Sequence, residues 1–285
     1  GVGVSAQQQQ LLRPRAAARS PSVGALMEFE WKGHTATRGL LSPAEFAGLA
    51  APLLEVGEAE ESAAARRKAE AMRPAGKEGG PMPFVQVHNP HQRHAAARRL
   101  AMAPALLAAA AALLGVASVR LYQDSLFWKR PGHGDTAWHA DLWTVPMNTN
   151  HFVTVWLPLH RVDDRSSPLF YLPREHDGAG LGADPAGLPP PGQAGEHHAP
   201  LELGDATWHH GWTVHGAPQL SPGSAQRPGG RLAYAATYFA DGAKVLHAAA
   251  EPEDGPSYVD WLAEVEAGAP AAHELLPLVW PPPPP

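Results

Sequence analysis

At Gly115 the chain changes period, and that change limits its fold more than any single motif. Before it, apolar residues recur at helical spacing. After it, short segments at 116–129, 151–162, 168–172, 206–214 and 231–239 alternate apolar and polar residues between Pro and Gly breaks. Helices first and many short strands afterwards predict a mainly β chain with flanking helices. The expected core is a double-stranded β-helix, jelly-roll or cupin-like, under an N-terminal helical layer.

The helical part has legible boundaries. Ser42-Pro43-Ala44-Glu45 supplies an N-cap, a proline at the first helical position and a glutamate three residues after the cap. A helix over 42–56 follows, with Pro52 expected to kink it or end it at Ala51. A second, solvated helix is expected at 58–72 and a loop at 76–83. A helical region over 90–114 ends at Gly115. Its apolar run, 101–116, is shorter than the roughly 20 residues of a spanning helix and contains Pro104, so it reads as a buried helix without a membrane span. Downstream, 177–200 reads as a long surface loop, 257–267 as a last helix, and 281–285 as disordered polyproline.

One domain is expected over 27–280. Residues 1–26 carry Arg13, Arg15 and Arg19 with several serines and no acid before Glu28. They read as a disordered or transit-like extension, and the protein is expected inside the cell, in the cytoplasm or an organelle. The net charge of −6 is scattered along the chain, which offers nucleic acid no basic surface.

The sequence has no cysteine. Disulfides, iron–sulfur clusters, zinc–thiolate sites and thiol nucleophiles are thereby excluded, and a metal must rest on His, Asp or Glu. A His-x-Asp pair on a strand puts an imidazole and a carboxylate on one face. His133-Gly134-Asp135 is glycine-split and follows Pro131-Gly132, so it reads as a mobile turn. His139-Ala140-Asp141 is flanked by Trp138, Leu142 and Trp143, which can fix the ligands' rotamers. For a third ligand, the segment from Gly204 to Gly216 offers His209, His210 and His215. His209 and His210 are adjacent, so at most one points inward. His215 is preferred because Gly216 behind it leaves room for a bound ligand. Two imidazoles and one carboxylate leave three coordination positions open, the arrangement suited to iron(II) oxygen chemistry.

An anionic co-substrate in such a barrel needs a fixed cation, and arginine meets a carboxylate bidentately. Arg231 opens the strand Arg231-Leu232-Ala233-Tyr234-Ala235-Ala236-Thr237-Tyr238-Phe239, whereas the competing Arg227 lies in a Ser/Pro/Gly loop. Trp128, Trp138, Trp143 and Trp212 are candidate walls of the site.

The order of these motifs resembles the phytanoyl-CoA dioxygenase family of 2-oxoglutarate-dependent hydroxylases. The resemblance runs from Gly33-His34-Thr35 through Phe127-Trp128-Lys129-Arg130-Pro131-Gly132 and Trp138-His139-Ala140-Asp141. It continues through Thr154-Val155-Trp156-Leu157-Pro158, Pro168-Leu169-Phe170-Tyr171-Leu172-Pro173, Gly204-Asp205, His215-Gly216 and the Arg231 strand, as far as Trp280. It implies that His139, Asp141 and His215 hold Fe(II), that Arg231 pairs with 2-oxoglutarate, that Trp156 lines its pocket and that Lys129 lies near the entrance. It further implies a small-molecule substrate, O2 as oxidant, and succinate and CO2 as by-products. The carboxylate of Asp141 favours hydroxylation over halogenation, since halogenases of this kind carry a small residue there. The His215 to Arg231 spacing is longer than in many relatives, Ala217 stands where some carry serine, and Ser167-Pro168 replaces a common Gly-Pro. Rival readings are a cupin-type metal enzyme that needs no 2-oxoglutarate and a catalytically silent ligand-binding barrel.

Overall fold

The computed structural model describes residues 20–59, 84–172, 187–220, 230–246 and 261–281. The first helix, α1 (Val23–Lys32), is capped by the Ser22 hydroxyl, which accepts from the Ala25 amide at 3.1 Å, and it ends on Gly33 at φ 80°. It crosses the boundary expected at residue 27, while 1–19 lie outside the described residues. The second helix, α2 (Pro43–Ala59), begins with the capping box read from the sequence: the Glu45 amide donates to Ser42 Oγ at 3.3 Å and Glu45 Oε2 accepts from the Ser42 amide at 3.1 Å. Pro52 does not end this helix. Phe46, Leu49 and Leu53 are buried along one side of it, and that packing outweighs the backbone hydrogen bond a proline forfeits. The helix expected at 58–72 and the loop at 76–83 lie outside the described residues beyond 59.

The expected helical region 90–114 is three pieces: a 3-10 turn (Pro90–Gln92), α3 (Ala95–Ala101) and α4 (Pro104–Leu114), which ends on Gly115 at φ 65°. The break is Pro104, which holds Ala103 in an extended conformation at ψ 123°. Between them, 95–114 are long and apolar enough to span a membrane by length and composition. Leu100, Leu106, Ala109 and Ala110 are instead fully buried in the main core.

Thirteen strands are described: β1 (His34–Thr37), β2 (Val85–His88), β3 (Val119–Lys129), β4 (Thr136–His139), β5 (Met147–Asn148), β6 (Phe152–Pro158), β7 (Phe170–Tyr171), β8 (Glu196–His197), β9 (Ala206–His210), β10 (His215–Ala217), β11 (Arg231–Ala240), β12 (Lys244–Val245) and β13 (Leu278–Trp280). A large antiparallel sheet has the order β1-β9-β6-β11-β3-β13, with β2 also on β3, and a smaller one has the order β4-β10-β7-β8. This is the jelly-roll, with the helices on the outer face of the large sheet. Leu232, Tyr234, Ala236 and Tyr238 of β11 join Val153, Val155 and Leu157 of β6 in the core beneath the helices. Their neighbours in sequence point inward.

Two expected elements differ. The loop 177–200 contains β8, paired with β7, in its described part 187–200. The single strand expected over 206–214 ends at His210 and gives way to a turn over 211–214, because the chain leaves the large sheet after His210 and enters the small one at His215. Gly211 permits the crossing: a Cβ there would lie 2.6 Å from Leu142 and 2.8 Å from Phe152. Of the last helix expected at 257–267, residues 257–260 lie outside the described residues, 261–262 are helical and 263–267 run through turns; of the polyproline at 281–285 only Pro281 is described.

Candidate metal centre

His139 and His215 are register partners across the antiparallel β4–β10 pair, and their ring centroids are 4.2 Å apart. Each ring is fixed by its inner nitrogen. His139 Nδ1 donates to the Ala137 carbonyl at 2.9 Å, and His215 Nδ1 donates to the Thr213 carbonyl at 3.0 Å. A carbonyl only accepts, so both rings carry their proton on Nδ1 and present a bare Nε2. Asp141 faces them, with Oδ1 at 4.0 Å from His139 Nε2 and 3.7 Å from His215 Nε2. One ligand atom from each of the three residues lies within 4.8 Å of the others. This donor set suits a divalent cation.

Strand alternation does not align His139 with Asp141, contrary to the sequence reading. The strand β4 ends at His139, and Asp141 opens a 3-10 turn (Asp141–Trp143) that is tied down by the Leu142 amide donating to the Gly211 carbonyl at 2.9 Å. His133 and Asp135 are not brought here. His133 Nδ1 accepts from the Arg130 amide and Asp135 Oδ1 from the Gln219 amide.

The other oxygen of Asp141 is held by side chains the sequence reading did not select. Thr154 Oγ1 donates to Oδ2 at 2.6 Å and His209 Nε2 donates to it at 3.2 Å. With its hydrogen given to the carboxylate, the Thr154 hydroxyl accepts from Thr237 Oγ1 at 3.0 Å. His34, His209, Thr154 and Thr237 are successive cross-strand partners over β1, β9, β6 and β11, forming one polar row on the inner face. The His209 ring lies 4.0 Å from that of His215 and 5.7 Å from that of Tyr171, and His34 stacks on Tyr171 at 4.7 Å while sharing a 2.9 Å hydrogen bond with His198. Period two on β6, β9 and β11 was the available signal, but which strands are neighbours was not.

Electrostatics favour the ligand forms. Burial opposes ionisation of Asp141, yet the His209 hydrogen bond and the neighbouring imidazoles of His215, His209 and His139 hold its carboxyl well below the usual carboxylate range. Burial first, then neighbouring His209 and His139, pushes His215 far below the ordinary imidazole value, toward the neutral ligand form.

Further along the inner face, Arg231 is buried, with its guanidinium 5.3 Å from the Trp156 ring centroid, and burial lowers its pKa to about 10. Its Nε has no hydrogen-bond partner, and no carboxylate pairs with it among the described residues. Arg227 lies outside them. Lys129, the register partner of Arg231, does not lie near an entrance. It is fully buried, with Nζ donating to the Ala217 and Pro218 carbonyls at 3.1 and 2.9 Å. Burial and the adjacent guanidinium push its pKa down to about 6. The Lys129 position alternates inward beside Trp128, and it is Trp128 that packs outward into the main core under the helices, so Trp128 is no wall of the site. Trp138 is buried with Ala140 and Val214, whereas Trp143 and Trp212 are more open. The space at Gly216 is not left for a ligand either. A Cβ there would meet Pro191 Cγ and the Thr136 carbonyl, each at 2.7 Å.

The sequence profile of the phytanoyl-CoA dioxygenase (PhyH) family matches residues 29–229. The chain belongs to the phytanoyl-CoA dioxygenase family. The match takes in the His139, Asp141 and His215 positions and stops just short of Arg231. None of the curated proteins matches the sequence. Among solved structures, this family member is similar in fold to the non-heme alpha ketoglutarate dependent carbocyclase SnoK from nogalamycin biosynthesis, at 23% identity and a TM-score of 0.68 over 93% of this chain and 99% of that one. The epimerase SnoN, in complex with Fe3+, alpha ketoglutarate and nogalamycin RO, gives 22% and 0.63 over 90% and 97%. AviO1 from Streptomyces viridochromogenes Tue57 gives 22% and 0.54 over 84% and 99%.

Proposed function

We propose that this protein is an iron(II)- and 2-oxoglutarate-dependent oxygenase that hydroxylates a small molecule. The observation that carries the reading is the meeting of two bare Nε2 atoms and one carboxylate oxygen on one side of an open site. A structural zinc centre would be closed by a fourth protein ligand. Among the described residues, the group of potential ligands is His139, Asp141 and His215 alone, and His139 remains 43% exposed on the open side.

The second support is charge. Arg231 and Lys129 stand side by side in the interior, and neither forms an ion pair among the described residues. Burying an uncompensated guanidinium is costly, and a carboxylate of the co-substrate would compensate it. Ala233 and Ala235, inward between Arg231 and Thr237, pack with Trp156 and bring only methyl groups to this stretch of β11. Arg231 would hold the remote carboxylate and Trp156 would form a flat side of its pocket. Lys129 would act by tying down the end of β10 next to His215.

Iron(II) with 2-oxoglutarate supplies dioxygen activation when bound, with release of succinate and CO2. The chain's own contribution is orientation: Nδ1–H bonds to backbone aim both imidazoles, and Asp141 is aimed by its donors. Fixed donors of this kind hold the three ligand atoms in place before the metal binds.

The relatives of similar fold include a carbocyclase and an epimerase, so oxidative cyclisation or epimerisation of a natural product is the second reading. Oxygen-dependent formation of succinate by the iron-loaded protein tests the co-substrate. Mass spectrometry of the product then separates gain of one oxygen from loss of two hydrogens or no change. Protein that binds iron and never decarboxylates 2-oxoglutarate, whichever metabolite extract is supplied, would leave the cupin-type or silent-barrel reading in its place.

A further inference from the structure

We propose, building on the metal-site reading above, that Thr154 and His209 confine Asp141 to one metal-facing oxygen, Oδ1, and are positioning residues of the metal centre. Oδ2 accepts from Thr154 Oγ1 and from His209 Nε2, and two donors occupy the in-plane lone pairs that a chelated cation would need. Oδ1 is the atom that faces both imidazoles.

The two donors are themselves immobilised. Thr154 and His209 are cross-strand partners on β6 and β9, and the Thr237 hydroxyl holds Thr154 from the other side. His209 is 1% exposed, and its ring centroid lies 4.0 Å from that of His215 and 5.7 Å from that of Tyr171. Its Nδ1 is buried without a partner among the described residues. A histidine kept for packing alone would be expected to satisfy both nitrogens or be replaced by an apolar ring, since an orphaned buried nitrogen is destabilising. The ring's directional bond goes to Asp141 instead. One consequence is stoichiometric: a chelating carboxylate would take an additional coordination position, whereas a carboxylate held to Oδ1 leaves three for a bidentate co-substrate and dioxygen.

The test uses the full chain titrated with Co(II), read by visible absorption, with and without 2-oxoglutarate. In Thr154→Val and His209→Phe, the Co(II) affinity is expected to fall about 10–100-fold, and the absorption bands are expected to change shape as the carboxylate turns. Thr154→Ser and His209→Gln, which return the hydroxyl and the N–H, should recover most of both. Thermal melting of the metal-free variants shows which are folded, and the near-isosteric Thr154→Val keeps the test open if His209→Phe is not. Unchanged affinity and bands in Thr154→Val and in folded His209→Phe, while His215→Ala abolishes binding, would overturn this inference alone. Wild-type affinity for Co(II) in His215→Ala would overturn the metal-site reading together with it.

Discussion

Thr154 and His209 stand opposite each other across the β6–β9 ladder, and both end on the same oxygen of Asp141. The site is therefore assembled from both sheets: His139 and His215 come from the small one, and the donors that aim Asp141 come from the large one. A sheet's inner face gives each side chain one direction, so the relation between the two sheets sets the geometry of the centre. Four predictions follow from that arrangement.

Removing a ligand should remove the metal. His215→Ala and Asp141→Ala are expected to weaken Fe(II) or Co(II) binding by about 100-fold or more, beyond the loss typical of a residue behind the ligands, and to abolish succinate formation. Equilibrium dialysis with metal analysis checks this. Metal retained at wild-type stoichiometry in both variants would place it elsewhere.

Arg231→Met should act on the co-substrate and leave the metal in place. The loss of a buried cation from a charge pair costs about 2 kcal/mol or more, roughly 30-fold in Kd for 2-oxoglutarate. Arg231→Lys is expected to restore little, because a point charge does not reproduce the planar fork seen beside Trp156. Isothermal titration of the Co(II)-loaded protein with 2-oxoglutarate gives the number. Equal affinities in wild type and Arg231→Met would reassign the pocket.

Gly216→Ala should destabilise the fold directly. The new methyl would lie 2.7 Å from both Pro191 Cγ and the Thr136 carbonyl, and overpacking of this kind costs about 1–3 kcal/mol. A melting temperature several degrees lower in the metal-free protein is the expected reading. An unchanged melting temperature combined with weakened ligand binding would return Gly216 to the role of leaving space for a ligand.

Acid should weaken the fold through His34. Burial, with help from His198, Lys32 and His209, lowers its pKa from 6.5 to about 3. Between those values the unfolded chain binds a proton that the folded chain does not, so stability is full above about pH 6.5 and is lost as pH falls toward 3. His34 alone should account for about 2 kcal/mol between pH 7 and pH 5. Urea unfolding at the two pH values measures it, and His34→Gln should flatten the difference. An equal pH dependence in the variant would show that other groups govern acid unfolding.

Much of this was legible in the residues. Ser42, Pro43 and Glu45 announced a helix start that the structure shows with the expected hydrogen bonds, because capping is local chemistry. The resemblance to the phytanoyl-CoA dioxygenases, carried by ordered motifs around His139, Asp141 and His215, is matched by the family profile over 29–229. The change of period at Gly115 foretold helices layered on a β core, because alternation reports which face a strand buries.

Other features turned on neighbours that the sequence does not name. Pro52 reads as a helix breaker, yet tertiary packing of Phe46, Leu49 and Leu53 carries α2 through it. The resemblance puts Lys129 near the entrance, yet it is fully buried, because its strand alternation turns it inward while the Ala217 and Pro218 carbonyls accept from its Nζ. Thr154 looks like an ordinary strand residue, and His209 like a rival of His215 for the third ligand position, until β6 and β9 lie side by side.

The sequence by itself determined the elements, the absence of thiolate chemistry and the ordered family motifs, since propensity, capping and composition act over a few residues. The tertiary structure decided which strands adjoin, that the chain changes sheets between His210 and His215, and which oxygen of Asp141 is left facing the imidazoles. Those outcomes depend on register between segments far apart in the chain, and register is fixed by the packing of whole faces rather than by any local run of residues.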